Sequence, residues 1–546
     1  MHFWLFPFLL LIYASDCETI KSIANVYADP AVKGGKIMIR KVKTENGWVK
    51  GLPAADPRIT SYKGIPFAAP PVGENRWRAP QPCPDWEGER EAYAFSPIPM
   101  QAPISADPKN LYDREWHVDK EIPMGEDCLT LNIWAPADGR KNMPVFVWYF
   151  GGGLQVGYSA EMEFDGERIA RRGIVVVTVN YRVNVFGFLC HPEITREAPD
   201  APANFGFLDQ QAATRWVKRN IAAFGGDPEN ITIGGQSAGG MSVSAQLTCP
   251  DNKGLFQRAI IQSGAFAPPY PFNFGLCSGL KEAEERGVKF FEFLGVKNLK
   301  EAREISETAL RDKALEWEKI YGWGTSFGEA VDNTYSFRNS QQWFLDENRL
   351  PVPALLGHTS SEFFGFPRAE DEDTLTAFAK EAFGEDADKF LSFFTHPATK
   401  ESIQREGAVN SIEFAVRAAA QYQKAQGKDL PLYYYQFDPE IPGWDHPGTF
   451  HSVDLWFFFE TLAKCWRPFK GKHYDLARQM CDYWCNFIKT GDPNGLDSQG
   501  ETLPAWPAFD PGQPIRMNFG ETAAARFCPA GALKDFLVDK YLKGNA

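Results

Sequence analysis

Beyond its N-terminal end the chain has no apolar run of the roughly 20 residues that a bilayer-spanning helix takes, so no integral membrane segment is expected. Positive charge is also in short supply. The 57 Lys and Arg stand against 70 Asp and Glu, a formal net charge of −13, which is the reverse of what a nucleic-acid surface or a polybasic membrane contact needs. Ten cysteines in 546 residues are too few and too scattered for a disulfide scaffold. The one close pair, Cys481 and Cys485 in "CDYWC", sets two thiols on one helix face without the further His or Cys that a tetrahedral metal site requires. No metal and no cofactor site is therefore expected. Pro/Ser-rich linkers, long charge blocks, internal repeats and low-complexity stretches are missing as well, so residues 16–546 read as one large domain with insertions.

What the chain does have is apolar material for a large core: 44% hydrophobic and 14% aromatic residues, among them 16 Trp and 43 Phe. The first residues, "MHFWLFPFLLLIYAS", combine a short apolar run with small residues at Ala14 and Ser15 and read as a signal peptide over residues 1–15, although no Lys or Arg precedes the run. Secretion is the expectation, with a cytoplasmic protein and an unusual leader as the alternative. "KIMIRKV" and "GWVKGL" read as an early hairpin. "CLTLNIWAP", "MPVFVWYF", "GIVVVTVNYR", "FQRAIIQSG", "VPALLGH" and "LPLYYYQF" read as strands, and "ARQMCDYWCNFIKTG" as a helix ending at Gly491. Strands apolar on both faces belong in a mostly parallel sheet covered by helices, an α/β fold. The polar, helix-rich stretches near 279–345 and 370–428 interrupt the alternation and are where a cap would be inserted.

The stretch "ENITIGGQSAGGMSVSAQL" carries the chemistry. β-Branched residues lead into Gly235-Gln236-Ser237-Ala238-Gly239 and then into a helical pattern. A strand–turn–helix corner with small flanking residues is a nucleophile elbow: it presents the serine Oγ at the top of a sheet and turns the next N–H, that of Ala238, toward a reacting carbonyl oxygen. A second match to the same pattern, "GTSFG" around Ser326, follows a charged helical run instead of a strand and reads as a loop. A serine hydroxyl needs a base, an acid to orient that base, and donors for the oxyanion. Gly151, Gly152 and Gly153 directly after the strand "VFVW" supply backbone N–H groups that side chains do not obstruct.

Several long motifs resemble the type B carboxylesterase and cholinesterase-like family of α/β-hydrolases. They are "YKGIPFAAPPVGENRWRAPQP", "EDCLTLNIWAP", "VFVWYFGGG", "VTVNYRVNVFGFL", "NFGFLDQQAATRWVKRNIAAFGGDPENITIGGQSAGG" and "TGDPNG", and they span almost the whole chain. The resemblance implies the α/β-hydrolase fold and a serine carboxylesterase working through an acyl-enzyme on a small-molecule ester. Carried onto this sequence, it makes Ser237 the nucleophile, Gly152, Gly153 and Ala238 the oxyanion hole, Glu362 in "LLGHTSSEFFGF" the acid and His451 in "GTFHSVDLWFFF" the base. The order Ser, Glu, His is that of an α/β-hydrolase triad. His446 competes with His451 but sits in the turn-like "DHPG".

Departures from the family pattern are informative. The family cysteine that would pair with Cys128 is replaced in this region by Met100, with Cys83 off the pattern, and "FLGVKNLKEAREI" lacks the second usual bridge, so the chain resembles the microbial branch. Gln236 stands where many members carry Glu, and Trp116 lies 12 residues before Cys128, a spacing unlike that of choline-binding relatives. Two rival readings are an esterase of aromatic plant acids and, in another class, a non-catalytic binding module that has lost the triad. Oligomeric state is not legible.

Overall fold

The computed structural model describes residues 38–271, 277–322, 327–346, 349–427 and 430–544. The N-terminal run with Cys17, and Ser326, lie outside these residues. Eleven strands form the main sheet: β1 (Leu52–Pro53), β2 (Ile59–Pro66), β3 (Thr130–Pro136), β4 (Met143–Tyr149), β5 (Val175–Val179), β6 (Gly226–Gln236), β7 (Arg258–Gln262), β8 (Ala354–Thr359), β9 (Leu432–Phe437), β10 (Ile515–Phe519) and β11 (Ala523–Phe527). Their spatial order is 11-10-9-8-7-6-4-5-3-2-1. The central run from β5 through β10 is parallel, and the pairs at the two edges are antiparallel. This is the mostly parallel sheet expected from the strand pattern, in the α/β-hydrolase architecture that the motif resemblance implied. The early hairpin, Lys41–Thr44 with Gly47–Lys50, pairs antiparallel but in a separate small sheet.

Burial explains the strand compositions. β5 (VVVTV) is buried at every position, as a strand covered on both faces must be. Against the sheet pack the long helices α1 (Phe205–Asn220), α2 (Ala238–Thr248) and α7 (Gly471–Thr490), while α3 (Leu280–Leu294), α4 (Glu307–Tyr321), α5 (Glu372–Phe383) and α6 (Ser411–Ala425) come from the two helix-rich stretches. α7 stops at Gly491, whose φ of 85° is the left-handed conformation that glycine adopts without a Cβ clash. Cys481 and Cys485 sit buried inside it, their sulfurs 4.0 Å apart. No disulfide and no helix long and apolar enough to cross a membrane occurs among the described residues.

Two motifs acquire a reason. Arg182, of "NYR", donates to both carboxylate oxygens of Asp209 on α1 at 2.7 and 2.8 Å, and Arg76, of "RWR", grips Glu126 through two contacts of 2.6 Å. Both pairs are almost completely buried. Removing one partner would strand the other charge in the core, a loss of about 3–5 kcal/mol.

Candidate active site

β6 runs into α2 through Ser237, which has φ 55° and ψ −125°, a strained conformation for a residue with a side chain. The small neighbours are compulsory. A Cβ on Gly239 would lie 2.1 Å from the Tyr149 carbonyl oxygen, and one on Gly235 would lie 2.3 Å from Gly239 backbone atoms. The corner is pinned by the Ser237 N–H donating to the Gln262 carbonyl on β7 at 2.8 Å. Ala238 opens α2, so its N–H is one of the first-turn donors that a helix leaves without an intrahelical acceptor.

The glycine loop after β4 lies against this corner. A Cβ on Gly151 would stand 2.8 Å from the Gln236 carbonyl oxygen and 3.2 Å from Ser237 Cβ. Gly152 and Gly153 have φ of 107° and 64°, and a Cβ on Gly152 would meet the Val156 carbonyl at 2.2 Å, so glycine is required there by space as well as by conformation.

Glu362 and His451 come together from two loops. The segment after β8 is laced to the segment before His451 by the Ser361 N–H donating to the Thr449 carbonyl at 3.3 Å and by a Ser360–Thr449 hydroxyl contact. His451 Nδ1 then meets Glu362 Oε2 at 2.7 Å. The other oxygen of Glu362 accepts from the Thr359 N–H at 3.2 Å and its hydroxyl at 3.1 Å. The Glu362 side chain is wholly shielded and that of His451 is 13% exposed. Burial pushes Glu362 up, but the charge and hydrogen bond of His451 outweigh it and leave the carboxyl below its usual range. For His451 burial pulls down, and the Glu362 charge and hydrogen bond overcome it, so the imidazole sits above its ordinary value.

His446, the rival histidine, is exposed in a turn, and its neighbour Asp445 is tied to Arg467 and Arg114. Ser237, His451, Gly151, Gly152 and Gly153 line one cavity of about 480 Å³. Phe363 packs edge-on against the His451 ring at 5.0 Å.

Sequence reasoning missed three features in and behind this cavity. The Gln236 side-chain amide donates to Ser452 Oγ at 2.7 Å and also reaches His451 Nε2 at 3.2 Å, so it occupies the ring nitrogen that faces away from Glu362. Trp116 lines the cavity despite its unusual spacing, because the short helix Leu111–Glu115 carries it there. Asp454, one turn beyond His451, is completely buried; burial, only partly offset by the Tyr435 hydroxyl at 2.8 Å, raises it to about 6. The Gln236 contact had no motif to announce it; the apolar segment opened by His451 was the one signal for Asp454.

The sheet order and its helix-loading elbow define an α/β-hydrolase, and comparison with known proteins places the chain more narrowly. A profile of the Carboxylesterase family matches residues 39–528, and the chain belongs to that family. It is 32% identical over 488 residues to the para-nitrobenzyl esterase of Bacillus subtilis, covering 86% of this chain and 92% of that protein. The fumonisin B1 esterase of Sphingopyxis macrogoltabida is 30% identical over 87% of this chain and 86% of its own. Among solved structures, the Geobacillus stearothermophilus carboxylesterase EST55 aligns with a TM-score of 0.70 at 31% identity, over 91% of this chain and 99% of that one. Microbial esterases are thus among the matches, as the motif resemblance implied, and the protein is a carboxylic ester hydrolase.

Proposed function

We propose that Ser237, His451 and Glu362 form the catalytic triad of this esterase, with the N–H groups of Gly152, Gly153 and Ala238 as its oxyanion hole. The observation that carries the reading is the 2.7 Å contact of His451 Nδ1 with the buried Glu362, on a ring that shares its cavity with a serine at a strained elbow. Nδ1–H donated to Glu362 leaves Nε2 without a proton, which is the tautomer a general base needs, and the Gln236 amide that reaches Nε2 at 3.2 Å has to yield that lone pair to the Ser237 hydroxyl. His451 takes the Ser237 proton as Oγ attacks the ester carbonyl, and the negative charge that develops on oxygen is met by the loop and helix N–H groups. The imidazolium gives its proton to the departing alcohol. A water activated by the same ring then releases the acid and regenerates the serine.

The test is ester turnover by two alanine variants. His451→Ala should lower kcat by about 10³-fold or more, since a triad without its base keeps only binding and oxyanion stabilisation, whereas His446→Ala should stay within a few-fold of the unaltered enzyme. The opposite ranking would exchange the two histidines. A single 16–546 domain, with the stretches 279–345 and 370–428 forming a cap, is part of the same reading. Secretion rests on the sequence of residues 1–15 alone.

A further inference from the structure

A second cavity, of about 450 Å³, lies at the other end of the strands from the catalytic corner. Its walls include Ile59, which opens β2, and Pro136, which closes β3. These two residues pair with each other, and β3 runs antiparallel to β5, so they sit where the parallel strands begin. Ser237 sits where β6 ends. Six arginines line the cavity, Arg58, Arg140, Arg168, Arg171, Arg172 and Arg478, against two carboxylates, Asp138 and Glu460. With 57 basic and 70 acidic side chains in the whole chain, this concentration of positive charge runs against the composition.

A guanidinium has five N–H donors and no acceptor, so its engagements can be counted. Arg172 is held between two acids: Nε donates to Asp482 at 2.6 Å, and Nη1 stands 2.8 Å from Glu460. Arg58 grips Asp56 through Nε and Nη2. The others are held from one side or not at all. Arg140 meets Asp138 through Nε alone, at 2.9 Å, and Arg171 meets Asp56 through Nε alone, at 3.3 Å, on a carboxylate that Arg58 already engages. Arg478 meets Asp475 through Nη1 at 3.0 Å. Arg168 makes no side-chain ion pair among the described residues. The terminal Nη nitrogens of Arg140, Arg168 and Arg171 therefore have no acceptor among the described residues. Arg168, Arg171 and Arg172 come from the short helix Glu167–Arg171 and the residue that ends it, at i, i+3 and i+4. Like charges at that spacing share a face and repel.

We propose that this cavity binds a phosphate group of two or more negative charges, with Arg140, Arg168 and Arg171 as its principal contacts. A tetrahedral oxyanion presents several acceptor oxygens at once, and planar guanidinium forks meet them two N–H groups at a time. Its charge also relieves the repulsion among the arginines, which a singly charged carboxylate does less well. The cavity is of the size that holds small molecules, so it takes the compound bearing the group as well as the group itself. A soluble phosphate compound and an anionic phospholipid headgroup share this chemistry. The site lies away from Ser237 and does not rest on the ester chemistry.

Calorimetry on the full chain with sodium pyrophosphate, and with acetate at the same ionic strength, gives the two affinities. Pyrophosphate should bind saturably and at least tenfold more tightly than acetate. The double variant Arg168→Gln, Arg171→Gln and the single variant Arg140→Gln should each weaken pyrophosphate by about tenfold or more, since each removes charge-assisted donors. These three side chains are exposed, so substitution leaves the core untouched, and either variant serves if the other fails to fold. Sedimentation with phosphatidylcholine vesicles containing phosphatidic acid separates the two sources. Co-sedimentation that pyrophosphate competes away assigns the group to a lipid headgroup; pyrophosphate binding without co-sedimentation assigns it to a soluble compound. Pyrophosphate binding no tighter than acetate, or an affinity unchanged in the variants, would overturn the proposal.

Discussion

Replacing Glu362 by glutamine keeps the shape of the side chain and removes its charge. In the native site that charge touches His451 Nδ1 at 2.7 Å, in a place where the carboxylate is fully shielded from solvent. With charge centres about 4 Å apart and an effective dielectric of about 20, the pair is worth roughly 4 kcal/mol once the imidazole is protonated. That is about three powers of ten in rate, because the imidazolium forms on the way to the transition state. An amide can also donate to Nδ1 and so favour the wrong tautomer, which adds to the loss, and about 10³- to 10⁴-fold in kcat is expected. The pH profile should move too. His451 lies above its ordinary value because the Glu362 charge and hydrogen bond, with a smaller push from Asp454, outweigh burial. In Glu362→Gln burial acts with little opposition, so the acid limb of kcat/KM should shift to lower pH. Initial rates on p-nitrophenyl acetate between about pH 5 and 9 read both effects. A loss below about tenfold, or an acid limb that stays in place, would refute the assignment of Glu362 as the acid.

Gln236→Glu would place a carboxylate against His451 Nε2, where the amide now stands at 3.2 Å. The added charge favours imidazolium, so the acid limb should rise and activity near neutrality should fall; an unmoved limb would show that the amide contact does not persist in solution. Asp454→Asn tests a stability effect. Folded Asp454 is raised to about 6 from 3.8, so its contribution is fully present below about pH 4 and is lost as pH rises through about 6, leaving the protein roughly 3 kcal/mol less stable above that. The Asn variant should therefore melt higher than the parent at pH 8 and show no such gain at pH 4. Equal melting shifts at both pH values would mean that Asp454 does not titrate as buried.

How much could be read beforehand depended on how locally each feature is encoded. The buried parallel strands β4, β5 and β7 are short apolar runs between turn signals, and the elbow is a contiguous motif whose glycines are demanded by backbone atoms 2.1–2.3 Å away. The last two strands at one end of the sheet, β10 and the edge strand β11, were not legible. β11 is "AAARF", without β-branched residues, and is held as a strand by pairing with β10. The Glu362–His451 pairing joins positions 89 residues apart; motif resemblance and chain order suggested it, but no local pattern encodes the distance. The acidic end of the cavity was invisible for a stronger reason. Asp113 and His117 come from the helix Leu111–Glu115 and the residues after it, Glu161 and Glu163 from the segment after the glycine loop, and they match no motif, so only the fold assembles them. Trp116 likewise reaches the cavity through a helix of five residues that spacing alone did not suggest.

The central claim is that one serine is activated, and labelling with a fluorophosphonate followed by peptide mapping tests it most directly. Such a probe reacts with a serine only where a base and oxyanion donors are assembled around it. The account predicts a single adduct on the peptide containing Ser237, abolished in Ser237→Ala and strongly slowed in His451→Ala. An adduct on Ser326, or labelling that persists without Ser237, would contradict it.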